Sequence, residues 1–317
     1  MMIGMNIVHQ TIMPTTYHEP VLLQACIDGL NLQPGGTYVD ITFGGGGHSR
    51  EILHQLEGGR LFGFDQDADA RANAQAINDP RLTFVAANFR NMKRYLRLYK
   101  ANQVDGILAD LGISSHQIDT PERGFSTRFD ADLDMRMNQQ ADRTARQVIN
   151  DYSEADLHRI LGMYGEITNA RTAASAIVSA RSNRPLKTVN DLKAALQRYA
   201  PRGKENKYFA QVFQALRIEV NEELQALEEF LEQVPEVLKP GGRLVVMSYH
   251  SLEDRLVKNF INKGKFQGEV EKDLFGNDLK PLQSVTRKPI EATPDEIARN
   301  PRARSAKLRI AEKPLVD

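Results

Sequence analysis

The first place in this chain where residue types and spacing could do chemistry is the run Asp40-Ile41-Thr42-Phe43-Gly44-Gly45-Gly46-Gly47-His48. Glycines let the backbone take positive φ and approach a ligand without a Cβ in the way. The apolar segment Thr37-Tyr38-Val39 precedes the run, and a helix-compatible stretch from His48 to Leu56 follows it. A glycine-rich turn between strand and helix is where open α/β sheets bind nucleotide-like ligands. A second apolar segment, Arg60-Leu61-Phe62-Gly63-Phe64-Asp65, ends in an acid 18 residues past Gly47. That is about where such folds place the carboxylate that accepts bonds from ribose hydroxyls.

The spacing is not that of a dinucleotide loop, because Ser49 stands where the third glycine belongs. The pattern is D-x-T-x-G-x-G, an acid ahead of the glycines with no pyrophosphate to cradle. S-adenosylmethionine has a ribose, an adenine, a sulfonium and an amino-acid end but no phosphate, so acids and backbone carbonyls suit it. A nicotinamide-dependent oxidoreductase shares the strand-loop-helix design and is the rival reading. Asp40 and Ser49 argue against it.

The elements that must position these residues alternate. Strands are predicted at roughly 37–43, 60–65, 82–87 and 104–110, with helical segments such as Ala68–Ile77 and Met92–Tyr99 between them. Such alternation implies a parallel sheet with right-handed crossovers. From about Ser114 to Lys207 the patterns are helical, with no convincing strand. A long amphipathic stretch, Ala210 to Leu238, then reaches the stop Lys239-Pro240-Gly241-Gly242, and a fifth strand follows at Arg243–Ser248. Segments at Leu282–Arg287 and Lys307–Ala311 are expected to close the sheet as an antiparallel pair. The expected organisation is one α/β domain, residues 1–113 and 208–317, interrupted by a helical insertion at 114–207.

Composition sets the outer bounds. The chain has 317 residues, 41% hydrophobic and 26% charged, enough for a globular fold with a sizeable core. Cys26 is the only cysteine, which excludes a disulfide framework or a multi-cysteine zinc site. No apolar run approaches a membrane span, and the first sixteen residues lack the basic start and apolar core of a signal peptide. A cytoplasmic protein with no membrane partner and no metal is the expectation. Formal net charge is zero, so any polyanion-binding surface must be local. Eight basic residues against Asp191 and Glu205 lie between Arg181 and Lys207. Arg299, Arg302, Arg304, Lys307 and Arg309 form a second cluster without an acid. Clusters of this kind supply phosphate contacts and a salt-dependent affinity.

Eight motifs in order along the chain resemble one family. They are Tyr17-His18-Glu19-Pro20-Val21-Leu22-Leu23, Gly44-Gly45-Gly46-Gly47-His48-Ser49, Asp105-Gly106-Ile107-Leu108-Ala109-Asp110-Leu111-Gly112 and Arg123-Gly124-Phe125-Ser126. Leu133-Asp134-Met135-Arg136-Met137 and Phe213-Gln214-Ala215-Leu216-Arg217-Ile218 come next. Ser248-Tyr249-His250-Ser251-Leu252-Glu253-Asp254-Arg255 and Asn300-Pro301-Arg302-Ala303-Arg304-Ser305 complete the set. The chain is similar over almost its whole length to the bacterial ribosomal RNA small subunit methyltransferases H, the MraW family. Departures are local. Ile41 stands where a small residue is expected, Gln66 where arginine, His116 where proline, Ala131-Asp132 where Gly-Pro, and Tyr249 where phenylalanine.

The resemblance implies a Rossmann-like class I methyltransferase sheet with an inserted all-helical domain. It implies an S-adenosylmethionine-dependent enzyme that methylates the N4 amine of a cytidine in the decoding region of 16S rRNA, within the small ribosomal subunit. It places Gly46, Gly47 and His48 at the cofactor's amino-acid end, Asp65 at the ribose and Phe89 beside the adenine. Asp110 and Gln117 complete that pocket. Asp110 and His250, at strand ends where ligands bind, are the candidates for orienting or deprotonating the amine. Arg123, Phe125, Arg136, Arg202 and Lys204 are the candidates for gripping RNA. A methyltransferase acting on another nucleic acid and a non-catalytic rRNA-binding assembly factor are the alternatives. The oligomeric state is open, a homodimer included.

Overall fold

The computed structural model describes residues 20–315, so Tyr17-His18-Glu19 and the first sixteen residues lie outside it. Seven strands form one sheet: β1 (Thr37–Asp40), β2 (Arg60–Asp65), β3 (Leu82–Ala86), β4 (Val104–Asp110), β5 (Leu238–Ser248), β6 (Gln283–Ser284) and β7 (Lys307–Glu312). Their order is β3-β2-β1-β4-β5-β7-β6. The first five are parallel, while β7 runs antiparallel to β5 and β6 antiparallel to β7. This is the Rossmann-like α/β sheet, with the antiparallel closing pair that the sequence predicts. The strand order reverses between β1 and β4, the position where open α/β sheets form a ligand-binding crevice at the carboxyl ends of their strands.

Both faces of the sheet are buried, and neighbours in each strand serve opposite faces, as a period of two requires. Tyr38, Leu61, Leu108 and Val245 face one side, with Cys26, Ile27 and Leu30 of α1 (Leu23–Leu30) and Ile52 and Leu53 of α2 (Gly47–Gln55). Val39, Phe62, Ile107 and Leu244 face the other. They pack with α4 (Met92–Leu98), α11 (Glu223–Val237) and α12 (Ser251–Lys263). Helix α3 (Ala70–Ile77) joins β2 to β3. The thiol of Cys26 is fully buried, and burial pushes its pKa well up, as suits a packing residue.

The intervening segment holds α5 (Ser115–Asp119), α6 (Ala145–Asp151), α7 (Glu154–Met163), α8 (Ala170–Asn183) and α9 (Val189–Leu196), and no named strand among the described residues. Its apolar cluster runs from Phe125 to Val220 and so takes in α10 (Glu205–Asn221). The stretch expected as a single amphipathic run from 210 to 238 is therefore two helices with two jobs. Glu222, at φ 51, breaks it; α10 packs among the helices and α11 packs on the sheet.

The Lys239-Gly242 segment also differs from expectation. It lies inside β5 as a bulge: Val104 pairs with Leu238 and Gly106 with Arg243, so five steps on β5 match two on β4. Gly241, at φ 75, absorbs the extra residues. The predicted strand at 282–287 is reduced to the two residues of β6. No described helix is long and apolar enough to cross a membrane.

Phe230 of α11 ties this scaffold to the crevice. It is fully buried and meets the Phe89 ring edge-on at 5.7 Å. Phe230→Ala should cost about 3–5 kcal/mol of stability by chemical denaturation, the usual loss for a buried aromatic truncated to a cavity. A loss below about 1 kcal/mol would show that Phe230 is not part of the packing that holds Phe89.

Candidate active site

Three acids stand at the carboxyl ends of β1, β2 and β4. Register makes them neighbours: Asp40 pairs with Gly63 on one side and Leu108 on the other, two residues short of Asp65 and of Asp110. Each is buried enough that ionisation is penalised, and each meets a different set of donors.

Asp40 braces the glycine loop. Its carboxylate accepts from the Ser49 hydroxyl at 2.7 Å and from the Thr42 N–H at 3.1 Å. Burial raises its pKa, and the Ser49 bond partly offsets that. The Thr42 hydroxyl in turn accepts the Asp110 N–H at 2.7 Å, so one threonine links the ends of β1 and β4. Ser49, which marks the departure from a dinucleotide loop, is thus in use as a donor to a buried acid. The loop itself needs its glycines. Gly46 has φ 76, and a Cβ there would lie 2.9 Å from the Phe43 ring. A Cβ on Gly47 would lie 2.4 Å from Pro20.

Asp65 accepts the Gly44 N–H at 2.7 Å on one oxygen and the Asp67 N–H at 2.8 Å on the other. Burial nevertheless raises its pKa to about 6. One N–H donor on each oxygen does not fully offset that burial, and the two hydroxyls of a ribose would add donors there. Gln66 and Asn88 bridge the ends of β2 and β3 at 2.9 Å, setting the Phe89 turn beside Asp65. A ribose at Asp65 and an adenine near Phe89 fit this arrangement.

Behind Asp65 lies a buried polar cluster. Gln117 caps α5 by accepting the Ser114 N–H, and its amide donates to Asp67 at 2.7 Å. Arg123 donates to Asp67 at 2.8 Å, to Asp69 at 2.9 Å, and to the carbonyls of Arg136 and Met137. Gln117 is therefore a brace for the turn that holds Asp65. His116 adds a contact to Asp69 at 3.0 Å.

Asp110 is held from two sides. The Tyr249 hydroxyl donates to its Oδ1 at 2.7 Å, and His48 Nδ1 lies 3.6 Å from its Oδ2. His48 Nε2 faces the Val21 carbonyl at 3.2 Å, which places a ring proton there. Burial raises the Asp110 pKa, while His48 and the Tyr249 bond oppose that rise.

His250 makes its polar contacts with Glu253 rather than Asp110. It caps α12, Nδ1 accepting the Glu253 N–H at 3.4 Å, and its Nε2 lies 3.2 Å from Glu253 Oε1 without hydrogen-bond alignment. Burial would raise Glu253, but His250, Arg217 and the Tyr249 N–H together outweigh it and hold the carboxyl below its usual range. Glu223, itself paired with Arg217 at 2.8 Å, completes a trio whose ligand atoms lie within 4.8 Å of one another. Because the cap uses the Nδ1 lone pair, the ring proton sits on Nε2 facing these acids. The trio in this tautomer holds a proton, whereas a metal would need the Nε2 lone pair.

The residues expected to grip RNA divide. Arg123 is buried in the cluster behind Asp65. Phe125 lies in the helical core, with the Arg123 guanidinium 5.8 Å from its ring. Arg136 forms a two-pronged pair with Asp134 at 2.7–2.9 Å and donates to the Ala141 carbonyl. These three act as struts, because their functional groups are consumed inside the protein. Arg202 and Lys204 are exposed in the loop before α10 and make no ion pair among the described residues. The C-terminal basic cluster is partly engaged within the protein: Arg302 pairs with Asp119 and Arg309 with Asp254, while Arg299 and Arg304 are exposed. Spacing alone shows where cations cluster, not which of them a tertiary carboxylate will claim.

Residues 15–314 match the model of the MraW methylase family. The chain is 62% identical over 297 residues to the "Ribosomal RNA small subunit methyltransferase H" of Cytophaga hutchinsonii, covering 94% of this chain and 99% of that protein. To the protein of the same name from Flavobacterium johnsoniae it is 57% identical, covering 94% and 98%. A solved rRNA methylase of Streptococcus thermophilus aligns over 92% of this chain and 95% of its own, with a TM-score of 0.42 and 11% identity.

As the expected ribose acceptor, Asp65 should make donor binding pH-dependent. Its pKa of about 6 means that lowering the pH from 7.5 to 5 protonates it and removes the acceptor for ribose hydroxyls. Calorimetry should find S-adenosylmethionine binding weaker by about ten-fold at pH 5, the fraction of carboxylate remaining one unit below that pKa. A flat profile across this window would rule out Asp65 as the ribose acceptor.

Proposed function

Because this chain belongs to the MraW methylase family, we propose that it methylates the exocyclic N4 amine of a cytidine in the decoding region of 16S rRNA. S-adenosylmethionine is the methyl donor. The observation that supports the reading is the row of acids at the β1/β4 reversal, where burial holds the Asp65 pKa up at about 6 and Asp110 stands at the neighbouring strand end. The relatives' printed names supply the ribosomal RNA acceptor.

The chemistry is demanding because the cytosine amine is conjugated with its ring, and its lone pair is poorly available. The donor supplies an electrophilic methyl on a sulfonium. The protein's part is to hold nitrogen, methyl carbon and sulfur in line and to accept the amino hydrogens as nitrogen pyramidalises. Asp110, at the end of β4, is the acceptor in this reading. His250, held by Glu253 at the start of α12, positions the chain that follows β5. No covalent intermediate is needed.

The target base must leave its stack to reach the donor. The helical unit beside the crevice is the proposed RNA-recognition surface, with Arg202 and Lys204 as its exposed cations. Labelled-methyl transfer to 30S subunits, naked 16S rRNA and DNA in parallel, with nucleoside analysis, tests the whole reading. N4-methylcytidine from ribosomal RNA is the expected product. Label on DNA, on another base, or nowhere would overturn it.

Charge reversal at both Arg202 and Lys204 should weaken RNA binding and lower its salt slope by about two, since each phosphate contact contributes about one. Donor affinity should stay normal. An unchanged slope would remove this loop from the RNA surface.

A further inference from the structure

We propose that Tyr249 is a positioning residue: its hydroxyl fixes the Asp110 carboxylate and keeps it ionised, ready to take the proton that the methylated amine sheds. The inference rests on the reading of Asp110 as amine acceptor and adds what sets the pH range over which it works.

The geometry separates the two oxygens of Asp110. Oδ1 accepts the Tyr249 hydroxyl at 2.7 Å. Among the described residues Oδ2 has no direct hydrogen bond, and it lies 3.6 Å from His48 Nδ1, beyond bonding distance. The backbone is pinned as well, through the Asp110 N–H on Thr42. Oδ2 is therefore the oxygen open to a proton. In the transfer, the amine lone pair forms the N–C bond as the S–C bond breaks, its electron pair staying on sulfur. Nitrogen then loses one N–H proton to Oδ2, and the amine is left neutral.

Ionisation of Asp110 is contested by its surroundings. Asp40 from β1 and Glu253 from α12 both disfavour a second negative charge, and His48 from α2 favours it. Cys26 from α1 lies close enough to feel Asp110, and its thiol is held protonated by burial. Among these groups Tyr249 is the one that donates a direct hydrogen bond to the carboxylate. Its own hydroxyl is locked as a donor, because burial and then the Asp110 charge push its pKa well above the ordinary tyrosine value. Gly112, just past β4, sits at φ 92, a conformation that favours glycine, and its Cα lies close to the ring: a Cβ there would meet Tyr249 Cδ2 at an ordinary contact distance of 3.6 Å. A phenylalanine would fill the same space and leave Oδ1 without this donor.

The sign follows. Tyr249→Phe removes a bond that stabilises the charged carboxylate, so Asp110 should hold its proton to higher pH. The acid limb of the kcat profile should move upward, while KM for S-adenosylmethionine stays near wild type. At a pH on the wild-type acid limb, Tyr249→Phe should run about ten-fold slower relative to its own plateau, the usual weight of a hydrogen bond to a charged group. Asp110→Asn should lose the limb, and adding Tyr249→Phe to it should move nothing further, since the two act through one contact. An unmoved limb in Tyr249→Phe, a limb that survives in Asp110→Asn, or a wild type with no acid limb would each overturn the proposal.

Should Tyr249→Phe fail to fold, infrared titration of the wild type against Asp110→Asn reads the carboxylate directly. Its appearance must track the acid limb, and a mismatch would overturn the role. If the wild type transfers no methyl to any RNA, the substrate reading fails. Infrared titration of Tyr249→Phe against wild type still decides whether the hydroxyl governs the ionisation of Asp110.

Discussion

Keeping three carboxylates charged at neighbouring strand ends, Asp40 buried and Asp65 and Asp110 half-buried, is the constraint on which the rest of the structure depends. Burial penalises the ionised form of Asp40, Asp65 and Asp110 alike, and strand register prevents them from moving apart. Each is rescued by a different device. Asp40 takes the hydroxyl of Ser49 and the backbone of Thr42, Asp65 takes two backbone N–H groups, and Asp110 takes Tyr249 with His48 nearby. The degree of rescue sorts their roles. Asp40 is engaged on both oxygens and serves the loop. Asp65 is also held on both, yet burial still leaves its pKa raised to about 6. Asp110 has one oxygen without a hydrogen bond among the described residues.

The helical unit is bound to this crevice by the same currency. Arg123, from the segment after α5, reaches Asp67 and Asp69 in the turn directly following Asp65, and Gln117 bonds the same Asp67. On the far side, Arg217 of α10 pairs with Glu223 at the start of α11, across the break at Glu222. Glu166, in the turn after α7, accepts from Ser251 at 2.6 Å, next to His250 at the head of α12. These links join the proposed RNA-recognition helices to the turn after Asp65 and to the helix that follows β5. Buried charge pairs of this kind add little net stability against apolar substitutes, but breaking one leaves an uncompensated charge. Their value here is in fixing where the two parts meet.

Much of this was legible in the chain. The alternation of apolar runs, the glycine loop between Asp40 and His48, the acid at Asp65 and the acid ending β4 all arise from local pattern. A strand buried on both faces and a tight turn leave marks within a few residues of themselves. What went unread was long-range. Nothing near Arg123 or Arg136 says that their guanidinium groups are consumed by Asp67, Asp69 and Asp134. Arg302 and Arg309 read as free cations until Asp119 and Asp254 are brought to them. The split of residues 205–237 into α10 and α11 was hidden because both halves are amphipathic, and only packing shows that they serve different cores.

By itself, then, the sequence determined the fold class, the glycine loop between strand and helix, and the order of the elements, because these depend on periodicity and on residues close along the chain. The tertiary structure alone decided which acid is satisfied and which is not, which cations face solvent, and that the Tyr249 hydroxyl meets Asp110 across 139 positions. The physical reason is that burial and hydrogen bonding set the state of an ionisable group. Both are properties of the atoms that folding brings around it, and neither is written in its neighbours along the chain.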